Sequence, residues 1–163
     1  MPLIRAGEVV EDPFVTAGEG EALPAEGAVI VCLETWQRDR EALLSRGTPV
    51  GVRLHSDQPP AEIAGDVAKL AVVALEFPVF KDGRAYSYAR LLRERYGFEG
   101  ELRAVGDVLA EQFSYMQRSG FDSFDIAREG DVGEWKRVTS EMSVWYQPTA
   151  DGRKTARDLR RDG

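Results

Sequence analysis

Ala28-Val29-Ile30-Val31-Cys32-Leu33 is an unbroken apolar run in which three consecutive residues are β-branched. A strand with one face in water alternates apolar and polar side chains. A run without alternation marks a strand covered on both faces, as helices cover the parallel sheet of an α/β protein. The sequence that follows agrees: Thr35 is a candidate N-cap, Trp36, Leu43 and Leu44 share a helical face, and Gly47 then Pro49 end the pattern.

The unit then repeats. Pro49–Leu54 reads as a second strand, a helix starting near Pro59-Pro60 buries Ile63, Val67 and Leu70, and Leu70–Phe77 reads as a third strand. Asp82 is placed to cap a helix turning Ala85, Tyr88, Ala89, Leu92 and Tyr96 inward and ending at Gly97. Glu101–Val105 is a fourth strand. Asp107 is an N-cap candidate for a helix burying Leu109, Phe113 and Met116, before a short strand at Ser123–Ile126. Asp131 and Glu134 resemble a capping box for a last helix presenting Val132, Trp135, Val138, Met142 and Trp145. This alternation predicts an α/β fold with a largely parallel sheet of about five strands. A partial (β/α) barrel is favoured over a doubly wound, flavodoxin-like sheet, because no Gly-rich phosphate loop follows the first strand. Residues 1–27 are expected to form an N-terminal arm or short β-ribbon, 28–149 a single α/β domain, and 150–163 a charged, solvated tail.

Composition narrows the function. Hydrophobic residues make up 43% of the chain, which argues against disorder. The start of the chain lacks the pattern of a signal peptide and no apolar run is long enough to span a bilayer, so a cytoplasmic location without membrane contact is expected. A net charge of −7 disfavours nucleic acid and suits docking on a basic protein surface. Cys32 is the single cysteine. One chain therefore supplies neither a redox pair nor the ligands of an iron–sulfur cluster or siroheme. No cofactor is evident, while a flavin held by backbone amides and Mg²⁺ stay open.

Parallel strands direct their carboxyl ends at one rim, where ligands bind in either topology. The residues at those ends are Cys32 and Glu34, His55 and Ser56, Glu76, and Gly106-Asp107. Imidazoles titrate near neutrality, so His55 is a candidate proton shuttle, although a loop hydrogen-bonding role is the simpler reading. Glu34, Glu76 and Asp107 are weak candidates for Mg²⁺, without a metal motif among them, and no metal is expected. Asp82-Gly83-Arg84 has two readings. It is a capped turn, or it is an anion site in which Arg84 and Arg90 supply charge, Ser87 donates and helix amides assist. Gly106-Asp107 likewise permits a tight turn with a cap or contributes to a site. Cys32 is expected to be buried and inert. Trp135, Trp145 and Tyr146 suit core packing or a subunit interface, homo-oligomerisation included, more than cofactor stacking, and Arg90, Arg93 and Arg95 suit a solvated helix face.

Two blocks carry a resemblance: F-x-D-G-R-x-x-S-x-A-R-L-L-R at Phe80–Arg93 and G-E-L-R-A-V-G-D-V-L at Gly100–Leu109. In these the chain resembles the DUF934 family, bacterial proteins often labelled as oxidoreductases of sulfite reduction. The resemblance implies a role in assimilatory sulfate and sulfite reduction, as an accessory or oxidoreductase component that docks on sulfite reductase or a related sulfur-assimilation enzyme, or that handles a small sulfur oxyanion. The alternative is a small (β/α)-type enzyme acting on an anionic metabolite, with or without Mg²⁺.

Overall fold

The computed structural model describes residues 2–79, 81–126 and 131–141. Eight strands form one sheet: β1 (Leu3–Arg5), β2 (Glu8–Val10), β3 (Phe14–Thr16), β4 (Ala28–Cys32), β5 (Val50–Leu54), β6 (Val72–Phe77), β7 (Glu101–Gly106) and β8 (Ser123–Asp125). The helices are α1 (Leu33–Leu44), α2 (Arg84–Arg90), α3 (Phe113–Ser119) and α4 (Val132–Glu141), with a 3₁₀ helix over Pro60–Lys69.

Strands β4 to β8 are parallel and lie side by side in chain order, with helical crossovers between them. Strand order does not reverse, as it would in a doubly wound sheet. The sheet is curled into a half-barrel. The expected five parallel strands are too few, because the N-terminal segment adds three more. β3 pairs parallel with β4 at one edge; β1 pairs antiparallel with β8, and β2 with β1, at the other. Short strands broken by Gly and Pro carry little periodicity of their own, which is why the pattern goes no further there than an arm or a short ribbon.

Curling also follows from chain length. β2 and β3 occupy opposite edges of the sheet, yet Val10 and Phe14 are joined only by residues 11–13. Four steps of extended chain reach about 14 Å. The two edges must therefore approach each other across the concave side.

Alternation along each strand separates two faces. Val29, Val31, Val52, Leu54, Val73, Leu75, Leu102, Ala104 and Phe124 point to the helices and share one core with Trp36, Leu43, Ile63, Ala89, Leu92, Met116 and Trp135. Each large apolar side chain so buried contributes about 1.5–3 kcal/mol. The opposite face looks into the half-barrel. Strand register aligns Cys32, Arg53, Ala74, Arg103 and Ser123 in one row across it. The apolar run of β4 is thus buried on both faces, but not by two helical layers: Ile30 is covered inside the curled sheet, where a Cβ on Gly51 would stand 3.2 Å from its Cγ1.

Several local expectations need correction. α1 begins at Leu33 directly after extended Cys32, so Thr35 lies in its first turn rather than capping it, with Oγ1 3.1 Å from the Cys32 Sγ. β6 begins at Val72 rather than Leu70. Asp107 is not in the N-cap position: Leu109 precedes a single 3₁₀ turn (Ala110–Gln112) that leads into α3, and Leu109 is half-buried. α2 continues as a π-helical turn, Leu91–Arg95, that swings Arg93 off the solvated face. Its guanidinium donates to the carbonyls of Phe98 (2.9 Å), Gly100 (2.8 Å) and Gly120 (3.0 Å) and pairs with Asp122 at 2.6 Å. Trp135 packs 5.1 Å from the Phe124 ring. Met142, Trp145, Tyr146 and the charged tail lie outside the described residues. Among those described, no helix is long and apolar enough to cross a membrane.

Candidate functional site

The carboxyl ends of β4 and β5, with the loop after β3, form a cleft of about 550 Å³ lined by Thr16, Gly18, Cys32, Glu34, Arg53, His55, Asp57 and Gln58 among others. The neighbouring parallel strand β6 supplies a partner to His55. β5 ends one residue before His55 while β6 carries Glu76, which brings His55 Nδ1 within 2.5 Å of Glu76 Oε2. Arg53 Nη2 donates to the same oxygen at 3.3 Å. The His55 backbone amide donates to Gln58 Oε1 (2.8 Å), whose Nε2 donates to Glu34 Oε1 (2.8 Å). The Glu34 carboxyl is held below the usual range chiefly by a backbone hydrogen bond at its own position, and Cys32 and Gln58 add to this. The structure thus brings Glu34, His55 and Glu76 into one hydrogen-bonded cluster. Cys32 is buried at its edge.

Asp82, Gly83 and Arg84 buttress this cluster from the side. Asp82 Oδ1 accepts the Arg84 amide (3.0 Å), and the Arg84 Nη2 donates both to Asp82 Oδ2 (2.7 Å) and to Ser56 Oγ (2.9 Å). The Tyr88 hydroxyl donates to the Ser56 carbonyl at 2.7 Å. The start of α2 therefore ties down the residue next to His55. Hydrogen bonds from the Arg84 side chain and amide draw the Asp82 carboxyl down to about 2. Ser87 and Arg90 stand exposed on α2.

Gly106 and Asp107 lie at the end of β7. Gly106 has φ +91°, and the Asp107 amide donates to the Phe77 carbonyl at 2.7 Å. The lining of the cleft includes neither residue. Among the described residues, no three His, Cys, Asp or Glu side chains converge as metal ligands would, so Glu34, Glu76 and Asp107 do not form such a set.

Arg53 and Thr16 also line a second, inner chamber of about 280 Å³, together with Asp12, Ile30, Ala74, Arg103, Val105 and Asp125. Arg103 is 1% exposed. Its two terminal nitrogens pair with Asp12 (2.8 and 3.2 Å), and Nη2 also reaches Glu101 at 3.3 Å. Glu101 in turn accepts from Ser123 Oγ at 2.6 Å. Burial pushes the Asp125 carboxyl up. None of these groups was singled out from the sequence. The available signal was a charged residue inside an apolar strand, Arg53 between Val52 and Leu54 and Arg103 between Leu102 and Ala104. On a face that must be buried, this pattern marks a paired charge.

A protein-family model, described as a bacterial protein of unknown function (DUF934), matches residues 51–157. Its span takes in His55, Glu76, the Asp82–Arg84 turn and Arg103. No curated protein matches the chain. The chain belongs to the DUF934 family.

Proposed function

For this DUF934 member we propose an enzyme that performs proton transfer on a small metabolite carrying an acidic group, with His55 as the acid–base residue. The supporting observation is the His55–Glu76 pair at the carboxyl ends of neighbouring parallel strands, with His55 lining the cleft. Glu76 accepting from Nδ1 leaves Nε2 as the lone pair offered to a substrate, the arrangement by which a carboxylate orients a general base. Arg53 steadies Glu76, and Gln58 and the Asp82–Arg84 turn fix the loop that carries His55. The family resemblance suggests sulfur assimilation as the setting and sulfite as the simplest candidate of the class.

His55 is the only histidine of the chain, so its ring signals are unambiguous in an NMR titration. Sulfite should shift them saturably, and Arg53→Gln should weaken that response. Silence of the ring up to millimolar sulfite and other small acids would reject the reading. A second reading, an accessory domain docked on a basic face of sulfite reductase, draws support from the net charge of −7. It requires salt-sensitive association with that enzyme.

A further inference from the structure

The chain between β2 and β3 crosses the open side of the half-barrel, and the inner chamber lies behind it. Asp12, in the middle of the crossing, and Thr16, at the end of β3, both line that chamber. Arg103 rises from the concave floor, yet its side chain is only 2% exposed. The crossing is what covers it. Asp12 pairs with both terminal nitrogens, and the guanidinium carbon lies over the Phe14 ring, 5.7 Å from its centre.

Little else holds this segment down. β3 is a three-residue edge strand without a buried side chain, and Val15 on it is 52% exposed. Its other ties are main-chain bonds: the pairing with β4 and the hydrogen bond from the Ala17 amide to the Ile30 carbonyl at 2.9 Å. A segment with few buried apolar contacts opens at lower free energy than the core. Gly18, just beyond buried Ala17, supplies a permissive joint.

Electrostatics leaves the segment free to move. Desolvation offsets much of what a buried ion pair gains, and breaking one is costly when a charge stays behind unpaired. Here neither charge does. On release Asp12, already 29% exposed, passes into water, while Arg103 keeps Glu101 at 3.3 Å. The position of the segment gives the movement a consequence. Thr16 and Arg53 line both the chamber and the cleft, so Thr16 stands where the two spaces adjoin.

We propose that residues 11–16 form a strap, latched by Asp12 on Arg103, whose lifting opens the chamber and joins it to the cleft. The proposal concerns access to the concave face and stands whether or not His55 transfers a proton.

Native-state hydrogen exchange of the full chain tests the latch. The Ala17 amide should exchange about a hundredfold or more faster than the best-protected amides of β5 and β6, after correction for intrinsic rates. Asp12→Asn removes the charge but keeps an oxygen for the Phe14 amide, which Asp12 Oδ1 accepts at 3.0 Å. It should speed exchange at Ala17 about tenfold or more, as loss of a charged hydrogen bond implies, and leave β5 and β6 unchanged. A thiol on the chamber floor reads access. Ala74 lines the chamber and is 1% exposed. Ala74→Cys in a Cys32→Ser background should therefore react slowly with a thiol reagent, and Asp12→Asn should accelerate the reaction about tenfold. Ala17 protected as strongly as β5 and β6, or indifferent to Asp12→Asn, would overturn the latch. Equal acceleration in β5 and β6 would do the same, since it would mark a general loss of stability. A floor thiol that reacts at one rate with and without Asp12→Asn would overturn the opening of the chamber.

Discussion

Gly106→Ala measures how closely β6 and β7 meet at the rim. Gly106 has φ +91°, and a Cβ there would collide with the Phe77 carbonyl oxygen, a main-chain atom that cannot rotate away. Gly97→Ala is the control, with φ +66° and open space around the added methyl. Left-handed backbone alone costs a non-glycine residue about 1–2 kcal/mol, offset in part by the lower entropy of the unfolded alanine chain, so the control should lose about 1 kcal/mol. At Gly106 the strands must also part. That sacrifices the hydrogen bond from the Asp107 amide to the Phe77 carbonyl, about 0.5–1.5 kcal/mol, and adds about 1–3 kcal/mol of overpacking. The total is about 2.5–5.5 kcal/mol. Trp36 and Trp135 are both 1% exposed, so their fluorescence reports unfolding in urea. With a slope of about 2 kcal/mol per molar, Gly106→Ala should unfold about 1–2 M earlier than Gly97→Ala. Variants within about 0.5 kcal/mol of each other would show that the methyl is accommodated and that the contact is looser than described.

Arg103→Met should cost about 3–5 kcal/mol by urea denaturation, since it strands the Asp12 and Glu101 carboxylates around a buried position. Arg93→Ala should cost about 2–3 kcal/mol, because the carbonyls of Phe98, Gly100 and Gly120 lose a charged donor, while exposed Arg95→Ala stays within about 0.5 kcal/mol. Burial raises the Asp125 carboxyl in the folded state. Its stabilising contribution is therefore complete below about pH 4 and fades as pH rises through the raised native value. Asp125→Asn should remove that decline, so its stability relative to wild type rises with pH. Asp82 has the opposite sign: its folded value is drawn down to about 2, its contribution is present above about pH 4, and Asp82→Asn should flatten the loss seen as pH falls toward 2.

The parallel unit was legible because β4 to β7 each carry two or more β-branched or large apolar residues and crossovers have stop signals of their own, such as Gly47 or Gly97. The N-terminal strands were not. Leu3–Arg5 and Glu8–Val10 are three residues each, and what anchors them to the sheet is the pairing of the first with β8, a partner more than a hundred residues away in the chain, while the second pairs only with the first. Long-range pairing overrides local propensity in such cases. At the site, strand-end reasoning drew Glu34, His55 and Glu76 toward one rim, where Gln58 links Glu34 to the His55 amide and Glu76 meets the His55 ring. It could not find Gln58 or the Asp12–Arg103 pair, whose meeting depends on the curl of the whole sheet. The role of Arg93 was hidden for a related reason. A π-helical turn shifts the angular position of everything after it, and an ideal helical wheel has no knowledge of that shift.

The central claim is that Glu76 holds His55 with Nδ1 protonated and Nε2 free toward the cleft. The ¹⁵N spectrum of the single imidazole reads this directly, since protonated and bare ring nitrogens resonate far apart. In the wild type with a neutral ring, Nδ1 should carry the proton and Nε2 should give the signal of a bare nitrogen. Glu76→Gln should abolish that preference and collapse the response to ligand. A neutral ring protonated at Nε2, or a tautomer balance unchanged by Glu76→Gln, would contradict the account.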